Sequence, residues 1–135
     1  MMVCLDTNCL IYLIENHPYW GPKVVSRLSF ARSSNDTIAV SDLARAECLV
    51  GPLKSGDTAA VADYQRFFAS TSVQMLPLTP AVCERAASIR ATSAIKIGLP
   101  DALHLASAVE HHCGLFLTND ARLANFAQIN VELLA

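Results

Sequence analysis

The chain has 135 residues, enough for one hydrophobic core and too few for two, so we expect one domain over residues 1–135. Apolar residues make up 53% of the chain and charged residues 16%, against about 25% charged in an average globular protein. The net charge of −2 argues against a general nucleic-acid-binding coat, because such coats need many Lys and Arg contacts to phosphate, but it leaves room for a local site. The low charge content also favours a surface that another chain partly covers.

The cysteines and the N-terminal segment limit the cellular setting. Five cysteines, an odd number with no CxxC pair, indicate neither a disulfide framework nor a structural zinc site. No basic segment precedes an apolar one near residue 1, and no apolar run is long enough to span a bilayer. We therefore expect a cytoplasmic protein that makes no use of a membrane.

Short runs typical of buried strands alternate with segments whose apolar residues recur at helical spacing. The strand runs are residues 3–5, 37–40, 73–76, 115–117 and, more weakly, 131–134. Thr79-Pro80 is typical of a helix start, and Gly98-Leu99-Pro100 of a break before another helix. Alternating strands and helices imply parallel pairing through right-handed crossovers, which predicts a three-layer α/β domain with a parallel sheet of four to five strands.

Four acidic residues follow this pattern of strands and helices. Asp6 ends the first strand run, and Asp120 follows the fourth; Glu47 lies beyond the second, and Asp101 begins a helix. Because ligands gather at the carboxyl ends of parallel strands, we expect the four acids to converge there. Such a cluster is costly without a cation, and an oxygen-only ligand set favours Mg²⁺ or Mn²⁺ and phosphate-ester chemistry. For any one acid alone, a helix cap is the simpler interpretation.

Polar neighbours of these acids have two interpretations each. Four of them either orient the carboxylates or only form turns: Thr7, Asn8, Thr118 and Asn119. Three basic residues either hold substrate phosphates or are only solvated: Lys96, Arg45 and Arg122. His104 shares a helix face with Asp101, and we favour a packed core histidine over a metal ligand there.

Four sequence blocks carry a family resemblance that covers nearly the whole chain. They are "LDTN" at residues 5–8, Glu47 followed by Gly51, "LPDALHLASA" at 99–108 and "FLTND" at 116–120. In this order and spacing the sequence resembles the PIN-domain ribonucleases, and within them the VapC-type toxins of bacterial toxin–antitoxin pairs. The sequence departs from the family pattern at Leu123, where an aromatic residue is usual, and at Cys48, where a bulkier apolar residue is common.

The resemblance implies a doubly wound parallel sheet and Mg²⁺- or Mn²⁺-dependent cleavage of single-stranded RNA. It also implies a four-acid metal site, in which Asp6 and Asp101 are the principal ligands. Glu47 would orient a ligand water or complete the site, and Asp120 would hold that water network or a second metal. The implied partners are a VapB-like antitoxin that blocks this site and a second toxin chain, in homodimers and toxin–antitoxin hetero-oligomers.

Alternative functions remain open from the sequence. A PIN nuclease of RNA processing that is not a toxin, or a non-catalytic RNA-binding protein, would have the same fold. A phospho-receiver signalling module needs a late lysine, and the chain has none after Lys96. A haloacid-dehalogenase-like phosphatase needs an acid two residues after its nucleophilic Asp, where this chain has Asn8.

Overall fold

The computed structural model describes all 135 residues, which form five strands and six helices joined by loops. The strands are β1 (Met2–Leu5), β2 (Thr37–Ser41), β3 (Val73–Leu76), β4 (Leu115–Thr118) and β5 (Val131–Leu133). The helices are α1 (Thr7–Ile14), α2 (Trp20–Ser33), α3 (Leu43–Ser55), α4 (Thr58–Ala69), α5 (Pro80–Thr92) and α6 (Leu99–Glu110). The predicted strand runs are all confirmed, and each end differs by at most one residue.

The sheet is parallel throughout and has the strand order β3-β2-β1-β4-β5. The chain adds β2 and β3 on one side of β1 and then returns to add β4 and β5 on the other side. In register, Val3 of β1 pairs with Ile38 of β2 and with Leu115 of β4. The order therefore reverses between β1 and β4, and a crevice at such a switch point is where open α/β sheets bind ligands.

Helices cover both faces of the sheet, which confirms the three-layer α/β architecture. Alternate residues of β1 enter different cores: Val3 and Leu5 pack with α1–α4, whereas Cys4 packs with α5 and α6. The predicted helix start at Thr79 is also confirmed, since its hydroxyl accepts a hydrogen bond from the Val82 backbone N–H at 3.2 Å. Leu123 is buried in the second core, so an aliphatic side chain serves there.

The helices are short, and none has both the length and the apolar composition of a membrane-spanning segment. Aromatic residues lie both in the core and at the surface. Tyr64 and Phe68 of α4 are buried in the first core, whereas Tyr19 before α2 is exposed.

Candidate functional site

Asp6 lies at the carboxyl end of β1 and is the N-cap residue of α1. Its carboxylate is only 5% exposed and accepts hydrogen bonds from the Thr7 backbone N–H at 2.8 Å and the Thr118 hydroxyl at 2.6 Å. Burial raises the pKa of the Asp6 carboxyl, and these two hydrogen bonds oppose the rise. Asp6 is thus both a helix cap and a carboxylate held in one orientation at the switch point.

Asp101 lies in the first turn of α6, half-buried and near two other acids. Burial raises the pKa of the Asp101 carboxyl, and the negative charges of Asp6 and Asp120 raise it further. The Arg122 guanidinium, 3.4 Å from Asp101 Oδ2, opposes that rise. The carboxylates of Asp6 and Asp120, which come from two other elements, therefore repel that of Asp101 at this edge of the sheet.

Asp120 caps a short 3₁₀ turn (Ala121–Leu123) after β4 and pairs with Arg122. Arg122 donates to Asp120 from its backbone N–H at 3.0 Å and from its guanidinium at 2.6 Å. These hydrogen bonds from Arg122 lower the pKa of the Asp120 carboxyl. The Arg122 side chain is 66% exposed, so a solvent-accessible cation pairs with two of the four acids.

Glu47 reaches the site from α3 and contacts two residues of other helices. Its Oε1 accepts a hydrogen bond from the Thr7 hydroxyl at 2.8 Å and lies against Nε2 of His104. The hydrogen bond to His104 lowers the pKa of the Glu47 carboxyl, and burial opposes this. His104 is buried, as predicted for a core histidine, but it also contacts an acid of the site, which the sequence interpretation did not include.

The predicted polar neighbours lie where they can orient the acids, with one exception. Thr7 and Thr118 hydrogen-bond the acids as described, and Asn8 Nδ2 lies 3.4 Å from Asp6 Oδ2. Asn119 touches no acid; its backbone N–H donates to Asn8 Oδ1 at 3.3 Å and its amide to the Tyr12 hydroxyl at 3.0 Å. Asn119 therefore holds Asn8, and Tyr12 holds Asn119; Tyr12 is a residue that sequence reasoning missed.

The three predicted phosphate-binding residues lie in different surroundings. Arg122 is at the site, whereas Lys96 is exposed in the loop between α5 and α6 and forms no ion pair. Arg45 pairs with Asp42 at 2.8 Å and lies over the Phe68 ring, on a face of α3 turned from Glu47. A role in RNA binding stays a prediction for all three.

A family model described as "PIN domain" matches residues 3–129, which include all four acids. The chain belongs to the PIN-domain family. A search of the curated proteins finds no matching relative.

Solved structures with the same fold include toxin–antitoxin proteins. DNA-bound VapBC2 from Rickettsia felis matches with a TM-score of 0.82 and 21% identity over 100% of both chains. DNA-bound VapBC from Salmonella typhimurium matches with a TM-score of 0.81 and 21% identity over 100% of this chain and 99% of the other. VapC20 of Mycobacterium tuberculosis, a sarcin–ricin-loop-cleaving toxin, matches with a TM-score of 0.73 and 14% identity over 95% of this chain and 98% of the other. At these identities the likeness shows that this PIN domain shares their doubly wound fold.

The donor set of this PIN domain fits a hard divalent cation by its chemistry and charge. The four acids offer only carboxylate oxygens, which Mg²⁺ and Mn²⁺ prefer, and a cation would relieve the repulsion that raises the pKa of Asp101. With the side chains as they stand, no three His, Cys, Asp or Glu residues are arranged to hold one ion. The fit therefore depends on the type and charge of the donors and not on a finished set of ligands.

Proposed function

We propose that the protein is a divalent-metal-dependent endoribonuclease that cleaves single-stranded RNA and acts as the toxin of a VapBC-type pair. The observation that carries this proposal is the pair of contacts that join three acids at the switch point of the sheet. Arg122 pairs with both Asp101 and Asp120, and the Thr118 hydroxyl bonds both the Asp6 carboxylate and the Asp120 backbone N–H. Membership of the PIN-domain family supports the nuclease part.

The residues would divide the work according to their contacts. Asp6 and Asp101 would be the principal ligands of Mg²⁺ or Mn²⁺, with Glu47 and Asp120 completing the site or holding its water. When bound, such an ion polarises a phosphate and makes hydroxide available near neutral pH. Thr118 and Thr7 hold Asp6 in place for this role, and no side-chain nucleophile is needed.

Arg122 would bind RNA by exchanging a carboxylate partner for a phosphate of the RNA backbone. Its guanidinium is exposed and pairs with Asp120 and Asp101, so an arriving phosphate competes with these carboxylates for the same donors. Lys96, which has no ion pair, would contact the backbone farther from the cleaved bond, as phosphate contacts position a nucleic acid without reading its sequence.

The toxin part of the proposal comes from the structural relatives. Two of them are VapBC complexes, and VapC20 cleaves the sarcin–ricin loop. By analogy this chain would act in the cytoplasm, bind a VapB-like antitoxin, and form homodimers within the toxin–antitoxin complex. Exposed apolar side chains support a covered surface; they include Tyr19, Val25 and Phe30.

RNA cleavage mapped by sequencing tests the nuclease. Cleavage is expected in Mg²⁺ and Mn²⁺, and none with a chelator or with Asp101→Asn. Asp63→Asn is the matched control, because Asp63 pairs with Arg66 on the surface of α4 and its substitution makes the same change of charge. Full activity of Asp101→Asn, or of the wild type in chelator, would refute the proposal.

Growth measurements test the toxin separately. Expression of the chain alone should arrest growth, co-expression of the neighbouring small gene should relieve the arrest, and Asp101→Asn should cause none. Metal-dependent cleavage without growth arrest would instead favour a PIN nuclease of RNA processing.

A further inference from the structure

His104 is a polar side chain placed inside the protein between three helices. It lies on α6, one turn after Asp101, and is 1% exposed. Its ring reaches Glu47 of α3 and Thr7 of α1, the residue next to Asp6. One imidazole thus connects the three helices that carry or flank the metal-binding acids.

The contacts of His104 use only one of its ring nitrogens. Nε2 lies 3.0 Å from the Thr7 hydroxyl oxygen and hydrogen-bonds Glu47 Oε1. Because an ionised carboxylate only accepts hydrogen bonds, Nε2 must carry the proton that it shares with Glu47. The Thr7 hydroxyl donates to the same Oε1 at 2.8 Å. Oε1 of Glu47 therefore has two donors, and Oε2 has no hydrogen-bond partner within the protein.

The other ring nitrogen makes His104 an unfavourable choice for packing alone. Nδ1 of His104 is buried and has no hydrogen-bond partner within the protein. An unpaired buried polar atom destabilises the folded protein, and an apolar side chain of similar size would avoid that cost. On the side of the acids, His104 also has no free nitrogen with which to bind a metal ion, since Nε2 already bonds Glu47. Neither packing nor metal ligation therefore explains why a histidine stands at position 104.

We propose that His104 is a positioning residue for Glu47. By holding Oε1 together with Thr7, it fixes the carboxylate so that Oε2 remains free to bind the cation or its water. This inference rests on the proposed metal site and names a residue outside the four acids on which that site depends. Hydrogen-bond partners of metal ligands typically change metal affinity by about 10- to 100-fold when removed.

Calorimetric titration of Mn²⁺ into the purified full-length protein tests the role without measuring cleavage. His104→Leu removes the donor and should weaken Mn²⁺ binding by about 10- to 100-fold. His104→Gln should bind Mn²⁺ nearly as well as the wild type, because its terminal amide can reach the position of Nε2. His104→Asn is the matched control, since its shorter amide does not reach Glu47.

A double-substitution cycle with Glu47→Ala separates positioning from a general structural effect. If His104 acts through Glu47, His104→Leu should cause no further loss of affinity once Glu47 is alanine. Wild-type affinity in His104→Leu, or losses that add in the double variant, would overturn the inference. Should His104→Leu fail to fold, equal Mn²⁺ affinities of the Gln and Asn variants would overturn it. A wild-type protein that binds no Mn²⁺ would instead refute the metal site itself.

Discussion

Thr118 joins the ends of two strands through the buried carboxylate of Asp6. Its hydroxyl is fully buried, donates to Asp6 Oδ2 at 2.6 Å and accepts from the Asp120 backbone N–H at 3.0 Å. Thr118→Val has the same shape and lacks both hydrogen bonds. A hydrogen bond to a charged group contributes about 1.5–3 kcal/mol to stability. For 135 residues, a loss of about 2 kcal/mol lowers the unfolding temperature by about 7 °C.

The effect of Thr118→Val should depend on pH in a defined direction. The Thr118 hydroxyl lowers the pKa of the Asp6 carboxyl, so its contribution is present while Asp6 is ionised. That contribution is lost as the pH falls through the pKa of folded Asp6, and the two proteins should then differ less in stability.

Differential scanning calorimetry in a chelating buffer, at neutral and acidic pH, measures this difference. Thr118→Ser is the control, because it keeps the hydroxyl and should lose only about 0.8 kcal/mol for the missing methyl group. A valine variant that unfolds at or above the wild-type temperature at neutral pH would refute the reasoning.

Three further predictions concern stability. Asp101→Asn should raise the unfolding temperature of the metal-free protein at neutral pH, because burial and nearby acids disfavour the charge; calorimetry that shows a lower temperature would contradict this. Tyr64→Phe should lose about 0.5–1.5 kcal/mol in urea denaturation, since the Tyr64 hydroxyl donates to the solvent-exposed Glu15 at 2.5 Å, and an unchanged midpoint would count against that bond. Gly56→Ala should lower the free energy of unfolding by about 1 kcal/mol, because Gly56 has a φ of 72°, where a side chain is strained. Gly51→Ala, inside α3, should raise it by about 0.5–1 kcal/mol, and urea midpoints shifted in the opposite directions would disprove this pair.

The sequence could predict the fold because each strand of a buried parallel sheet is a short apolar run. It could also place Asp6 and Asp120 at the same edge of the sheet, since residues that follow parallel strands share that edge. The sequence also indicates that Arg45 and Glu47 lie on different sides of their helix, because residues two positions apart in a helix differ by about 200° around its axis.

Other parts of the site depend on packing between distant segments. His104 and Glu47 are 57 positions apart, and their contact depends on how α6 packs beside α3, which helical spacing does not specify. The pairing of Arg122 with Asp120 and Asp101 depends on the side-chain conformation after β4, where a solvated arginine fits the sequence equally well. The support of Asn8 by Tyr12, through Asn119, likewise has no local signal.

The claim that Asp6 and Asp101 share one divalent cation can be tested by anomalous diffraction from crystals grown with Mn²⁺. The account predicts an anomalous peak at bonding distance from carboxylate oxygens of both residues, and its loss in crystals of Asp101→Asn. A peak bound to only one of them, or manganese found solely elsewhere on the protein, would contradict it.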